Sequence, residues 1–540
     1  MEDGSSPPGA GDTGLVDVRA RSGAHRQGRT GRRQLPGWSN APAWLPLLAV
    51  LGVQALLSLR LVKADTAFQD EALYLWAGHR EIAHLLHGTP IPPFPAYFSG
   101  APVIYPPIGA MADNIGGLAG ARILSLMFML GTTALLWSVA RRVFGPVAGF
   151  FASALFAVLG PTLHLGAFAT FDAMALFLLA LATWCVVRAG ERRDATAWMV
   201  TGGIVLALAN ATSYATTIFD VVVVVLALTL AYPQPGGKQA LSRALTLLTV
   251  LVVLLGAGLL IGGSYYRSGI KETTINRVPG AASAMVVFGD AWLWTGLILL
   301  LAICGVAFSL AAREGWPRTL LLTVLFSAAL LGPLEQAHLH TAASLNKHVG
   351  DGAWFASIAA GYAVARLIAA APAGQLRSVS LGACIVALIF PATLGVSQSS
   401  TFASNWPNAG SFIAILRPYV KHSQGPLLIE DPSIAEYYLK AGAQWRRWSS
   451  TRNIVLPSGK STGGPSPKAG VVGPGNKGVF DEFILSGYFA VVALNYQDTT
   501  TLDMEITRDL KANKHYRKVQ VVPYGPTPGT YVIWQYKGRK

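Results

Sequence analysis

The sequence predicts a polytopic α-helical membrane protein with about eleven transmembrane helices and a small external C-terminal α/β domain. Three observations predict it. The chain is 52% hydrophobic and only 13% charged, where a soluble protein carries about 25% charged residues. Its mean hydropathy is +0.43, and uncharged runs recur at lengths near the roughly 20 residues that cross a bilayer. The runs are continuous rather than alternating. In lipid their backbone groups must bond within the segment, so they are helices rather than barrel strands.

The elements follow in order. Residues 1–41 are rich in Gly, Ser, Pro and Arg (Arg19, Arg21, Arg26, Arg29, Arg32, Arg33) and are expected to form a disordered basic tail. No small-residue cleavage site closes the first apolar run, which is therefore a retained helix rather than a signal peptide. Residues 42–396 form the transmembrane domain, with spans expected at 43–62, 117–140, 143–160, 171–189, 197–212, 214–232, 241–263, 290–311, 318–336, 353–371 and 378–396. The 197–232 stretch reads either as a hairpin or as one long helix.

Charge gives the topology a direction. Alternate loops are short and basic, carrying Arg141 and Arg142, then Arg188, Arg192 and Arg193, then Lys238 and Arg243, then Arg313 and Arg318, then Arg366 and Arg377. The positive-inside rule puts these loops and the N-terminus in the cytoplasm and the C-terminal domain outside the plasma membrane. The same distribution accounts for the net charge of +15 as lipid-facing signals, so no nucleic-acid partner follows. Cys185, Cys304 and Cys384 lie within apolar runs at neither disulfide-framework nor metal spacing.

External loops are expected at 63–116, 264–290 and 333–352. Glu71 to Leu86 has the apolar spacing of an amphipathic helix lying on the membrane surface. From residue 397 to 540 charges return. Short β-rich runs at 427–429, 489–494, 519–522 and 531–534 alternate with helical pieces at 433–440 and 501–513, and 457–477 reads as a flexible loop. No internal repeat of the kind found in inverted-repeat transporters is visible.

The residues that carry chemistry lie on the external side. Asp70 and Glu71 either complement a helix dipole or provide a general base for an acceptor hydroxyl. Tyr105-Pro106-Pro107-Ile108 reads as a rigid turn that stops a helix. Arg122 either snorkels or binds a lipid phosphate. Asp172, at the outer edge of its span, is functional by default, because an acid in the membrane is costly. Asp220, in the sixth span, reads as a further buried acid, either functional or paired locally. His338 and His340 are candidate metal ligands, but zinc needs three or four, so a divalent metal is the weaker reading there. Lys347 and His348 suit a phosphate, whose developing charge they would stabilise. Arg267, Lys271 and Arg277 sit where the positive-inside rule disfavours them, and an anionic lipid headgroup explains them. Acids that activate a hydroxyl, together with bases that hold a phosphate, form the layout for moving a sugar off a lipid-phosphate carrier. No nucleotide-binding segment is present in the sequence.

These residues resemble those of the GT-C superfamily of integral-membrane glycosyltransferases, in particular its protein O-mannosyltransferase and lipid A aminoarabinose-transferase group. The resemblance covers about residues 43–370. It rests on Asp70-Glu71 with Tyr74, and on Tyr105-Pro106-Pro107-Ile108, which looks like the group's HPPL element with Tyr in place of His. It continues through Arg122-Ile123-Leu124-Ser125, Arg141-Arg142-Val143-Phe144-Gly145, and Pro161 through Asp172. Ser344-Leu345-Asn346-Lys347-His348, with Gly352 and Trp354-Phe355, completes it. The resemblance implies a polyprenyl-phosphate sugar donor, inversion at the anomeric centre, Asp70 as base and Asp172 as the second external acid. The acceptor would be a cell-envelope glycan, lipid or protein, and Tyr105 leaves its type open. A transporter or flippase of lipid-linked sugars is the alternative, with the same basic residues binding headgroups.

Overall fold

The computed structural model describes residues 44–191, 194–231, 237–276, 279–440, 442–452, 454–455, 471–472, 477–497, 499–524 and 529–538. The basic tail expected at residues 1–41 and most of the 457–477 loop lie outside the described residues. The apolar runs are helices, and prolines start several of them, because a first-turn residue has no intrahelical N–H bond to lose.

The chain runs α1 (Leu45–Leu59), α2 (Gln69–His87), α3 (Tyr105–Phe144), α4 (Pro146–Ala157), α5 (Gly160–Leu165), α6 (Phe171–Glu191), α7 (Ala195–Thr212), α8 (Asp220–Ala231) and α9 (Gly237–Ile261). It continues with α10 (Gly263–Ile270), α11 (Ala284–Ala311), α12 (Trp316–His338), α13 (Leu345–Ala370), α14 (Gln375–Ala387) and α15 (Ile389–Ala403). Gly145, at φ 99°, turns the chain from α3 into α4 in a conformation that other residues rarely adopt. Eight helices among the described residues are long and apolar enough to cross a membrane, with α14 and α15 counted as one rod. Three more apolar helices, Leu45–Leu59, Pro146–Ala157 and Tyr214–Leu230, are shorter. An eleven-span count needs all three of them.

Several boundaries differ from the sequence reading for identifiable reasons. Tyr105-Pro106-Pro107 begins a helix instead of ending one, since both prolines occupy its first turn. That helix breaks at Gly116 and Gly117, near where a span was expected to start. The 197–232 stretch is two helical pieces separated at extended Ser213. The expected 333–352 loop shrinks to residues 339–344, because α12 and α13 extend into it. Lys347 and His348 therefore sit on the first turn of α13.

α2 is the anticipated amphipathic helix, but it is held between protein elements. Its Gly78 backbone lies so close to the Pro106 carbonyl at the start of α3 that a Cβ would collide. Over its other side lies the C-terminal domain, through α16 (Gly410–His422), β1 (Leu427–Ile429) and α17 (Ser433–Tyr438). The domain continues through β2 (Trp448–Ser449), β3 (Ile454–Val455), β4 (Val471–Val472), α18 (Lys477–Leu485), β5 (Val491–Leu494), α19 (Thr500–Ala512), β6 (Tyr516–Tyr524) and β7 (Gly529–Tyr536). Its main sheet has the order β2-β1-β5-β7-β6, parallel from β2 to β5 and antiparallel beyond. Alternate residues bury opposite faces. Leu427, Ile429, Val491 and Ala493 pack with Phe412 and Leu416 of α16. Leu428, Val492 and Leu494 pack with Phe480 of α18 and Ile506 of α19. Tyr437 donates to Asp113 (2.6 Å), which also bonds His79 (2.7 Å), so one network ties α17, α3 and α2 together.

Candidate active site

The first loop is anchored by one buried ion pair. Glu71 has no exposed surface and Arg122 is 1% exposed. Arg122 donates from Nε to Glu71 Oε1 (2.8 Å) and from Nη2 to Oε2 (2.6 Å). Its remaining bonds go to the carbonyls of Val62 (3.0 Å), Asp65 (3.0 Å) and Thr66 (3.2 Å). Glu71 also accepts the N–H groups of Phe68 (3.0 Å) and Ala169 (2.8 Å). A guanidinium has five N–H donors, and these five bonds use them. Glu71, expected to be catalytic, and Arg122, expected to bind phosphate, bond instead to each other and to the loop. Both are spent on holding the loop against α3 and the start of α6, with no group left for substrate.

That anchor presents the neighbouring residue, Asp70, to a cavity of about 390 Å³. Lys347 Nζ donates to Asp70 Oδ2 at 2.9 Å and lies 3.7 Å from Asp172 Oδ2. Asp172 also accepts from Thr170 Oγ1 (2.7 Å). Lys347 and Asp172 are each 8% exposed or less, and the Asp70 carboxylate is the most open of the three, at 29%. His348 lines the same cavity, with Tyr97, Ser213, Tyr214 and Thr217. Tyr74 stacks on Phe171 (4.8 Å), and burial followed by the Asp70 charge pushes its phenol well above the ordinary value. Asp70, Asp172 and the Lys347–His348 pair, each more than 100 residues from the next in the chain, thus converge on one space.

Other candidates fall elsewhere. Arg267 is exposed on α10 and does not line the cavity. Arg277 lies outside the described residues. His338 and His340 are exposed, and among the described residues no group of three or more metal-type side chains gathers. Asp220 accepts from Asn210 (2.8 Å), a local pairing. The sequence reading missed Asp351, which is 8% exposed and lines the cavity one turn beyond Lys347. Its i, i+4 spacing from Lys347 was the available signal.

Asp70 and Tyr97 also line a second cavity of about 410 Å³, between α2 and the C-terminal domain. Glu436 of α17 lines it and is 6% exposed. Burial, with the charge of Asp431 adding to it, pushes the Glu436 carboxyl up from 4.5 to about 8. The folded chain therefore keeps a proton that the unfolded chain loses, and stability drains as pH rises from about 4.5 to about 8. Glu436→Gln, which cannot ionise, should unfold near the wild-type temperature at about pH 5 and above it at about pH 9. Thermal unfolding in detergent at the two pH values checks this.

A family model described as dolichyl-phosphate-mannose-protein mannosyltransferase matches residues 113–261. No curated protein matches the sequence. Among solved structures, ArnT from Cupriavidus metallidurans in the apo state superposes with a TM-score of 0.58 at 13% identity, covering 92% of this chain and 99% of that one. The same protein bound to undecaprenyl phosphate gives 0.57 at 13% identity, over 92% and 100%. The oligosaccharyltransferase AglB from Archaeoglobus fulgidus, in complex with an inhibitory peptide and a dolichol-phosphate, gives 0.57 at 14% identity, over 90% and 74%. At such identities the likeness establishes the fold, which spans nearly the whole chain. The chain thus has the fold of ArnT and AglB, and the mannosyltransferase-family model matches a segment within it.

Proposed function

We propose that the protein transfers a sugar from a polyprenyl-phosphate donor to an acceptor hydroxyl at the outer face of the plasma membrane, inverting the anomeric centre. The observation that carries this reading is Lys347 held between Asp70 and Asp172 in a single cavity. At rest its ammonium neutralises both carboxylates. An incoming donor phosphate competes for that ammonium and releases Asp70 to accept a proton. The acceptor oxygen then bonds the anomeric carbon from the side opposite the phosphate. The anomeric carbon–oxygen bond to phosphate breaks, and polyprenyl phosphate leaves with the bonding pair. The acceptor proton ends on Asp70 and passes to solvent. Lys347 stabilises the leaving phosphate, while Asp172 and Thr170 keep Lys347 in place. Structures of this fold hold undecaprenyl phosphate and dolichol-phosphate, which supports a lipid-phosphate donor here.

The test is incubation of the purified protein with a panel of polyprenyl-phosphate sugars, following release of the free lipid phosphate. Release coupled to sugar transfer is expected. Donor moved across vesicles without cleavage would identify a carrier instead. Lys347→Met should raise the donor KM about ten- to hundredfold, the loss of one charge-assisted contact. Steady-state kinetics with varied donor check it.

A further inference from the structure

The second cavity meets the first at Asp70, which lines both. A base that faces two compartments serves two substrates, and the donor phosphate takes the compartment that holds Lys347. The walls of the other compartment have a different chemistry. Trp76 of α2 and Trp445 and Trp448 of the C-terminal domain line it, and Glu436 and Ser450 add polar groups. Glu436 is more than nine-tenths buried, yet its carboxyl makes no hydrogen bond or ion pair among the described residues. Buried polar groups are normally satisfied, so a carboxyl left open towards a cavity awaits a partner.

We propose that this cavity is the acceptor site and that the acceptor is a neutral glycan, with a sugar ring packed on the Trp445 and Trp448 indoles and its hydroxyls held by Glu436. The proposal rests on the glycosyltransferase reading above. A sugar ring offers apolar C–H faces and hydroxyl edges, which match indole faces and carboxyl groups respectively. Among the described residues the wall carries the acids Asp70, Glu430 and Asp431 beside Glu436, and the cation Arg452. That balance disfavours an anionic acceptor. Tyr97 lines both compartments, and burial followed by the Glu436 and Tyr265 charges raises its hydroxyl to about 12. It stays protonated and can donate to a hydroxyl on either side.

The test uses the full-length enzyme with a polyprenyl-phosphate sugar that it cleaves and three acceptor probes. These are neutral methyl-glycoside oligosaccharides, Ser/Thr-containing peptides and phosphatidylglycerol vesicles. Transfer to the oligosaccharides is expected. Glu436→Gln and Trp445→Ala should each raise the oligosaccharide KM at least tenfold while the donor KM stays within twofold. Glu436→Gln is isosteric and keeps the test valid if loss of the indole disturbs folding. Preferential transfer to the peptide or to phosphatidylglycerol overturns the proposal and leaves the glycosyltransferase reading intact, as does a wild-type acceptor KM in both variants. Absence of cleavage for every donor, with or without acceptor, overturns both.

Discussion

Asp70→Asn should lower sugar transfer by about 10²–10⁴-fold, the range a positioned general base contributes, and should leave the protein folded. The substitution keeps the shape of the side chain and removes its basicity. Asp70 is the most exposed of the three charged groups, so the fold depends on it least. Lys347 keeps Asp172 as a partner 3.7 Å away, which avoids an uncompensated buried ammonium. The measurement is kcat with saturating donor, alongside the thermal unfolding midpoint. A wild-type midpoint with severely reduced kcat is expected. A variant that turns over at the wild-type rate would remove Asp70 from the mechanism.

Arg122→Ala should have the largest effect on stability, about 3–5 kcal/mol, the cost of leaving one buried charge without its partner. Glu71 would be left without its partner and with no exposed surface, and the carbonyls of Val62, Asp65 and Thr66 would lose their donors. The double substitution Arg122→Met with Glu71→Leu removes both charges and should recover part of the loss. Recovery stays incomplete, because those three carbonyls and the N–H groups of Phe68 and Ala169 remain unpaired. Thermal unfolding in detergent reads both variants. A single variant with a wild-type midpoint but weak donor binding would return Arg122 to the phosphate-binding role that its sequence position suggested.

Apolar run length by itself determined that this chain is a bundle of membrane-length helices, because a backbone in lipid has no partner outside its own segment. The strand segments of the C-terminal domain were legible in the same way, from short β-rich runs such as Leu427-Leu428-Ile429 and Phe489 to Leu494. Their order in the sheet was not, since β1 lies between β2 and β5 through contacts distant in sequence. The candidate site divides similarly. Asp70, Asp172 and Lys347 were visible as charges that an apolar or external context leaves unexplained. Adjacent Asp70 and Glu71 could not be told apart, because consecutive helix residues look alike in sequence but point about 100° apart on the helix. Only the tertiary structure decided that Glu71 turns inward to Arg122 while Asp70 turns to the cavity. It alone also revealed Asp351 and the second cavity, whose walls come from α2 and the C-terminal domain. A charge announces its cost in any sequence, whereas its partner is chosen by packing between segments hundreds of residues apart.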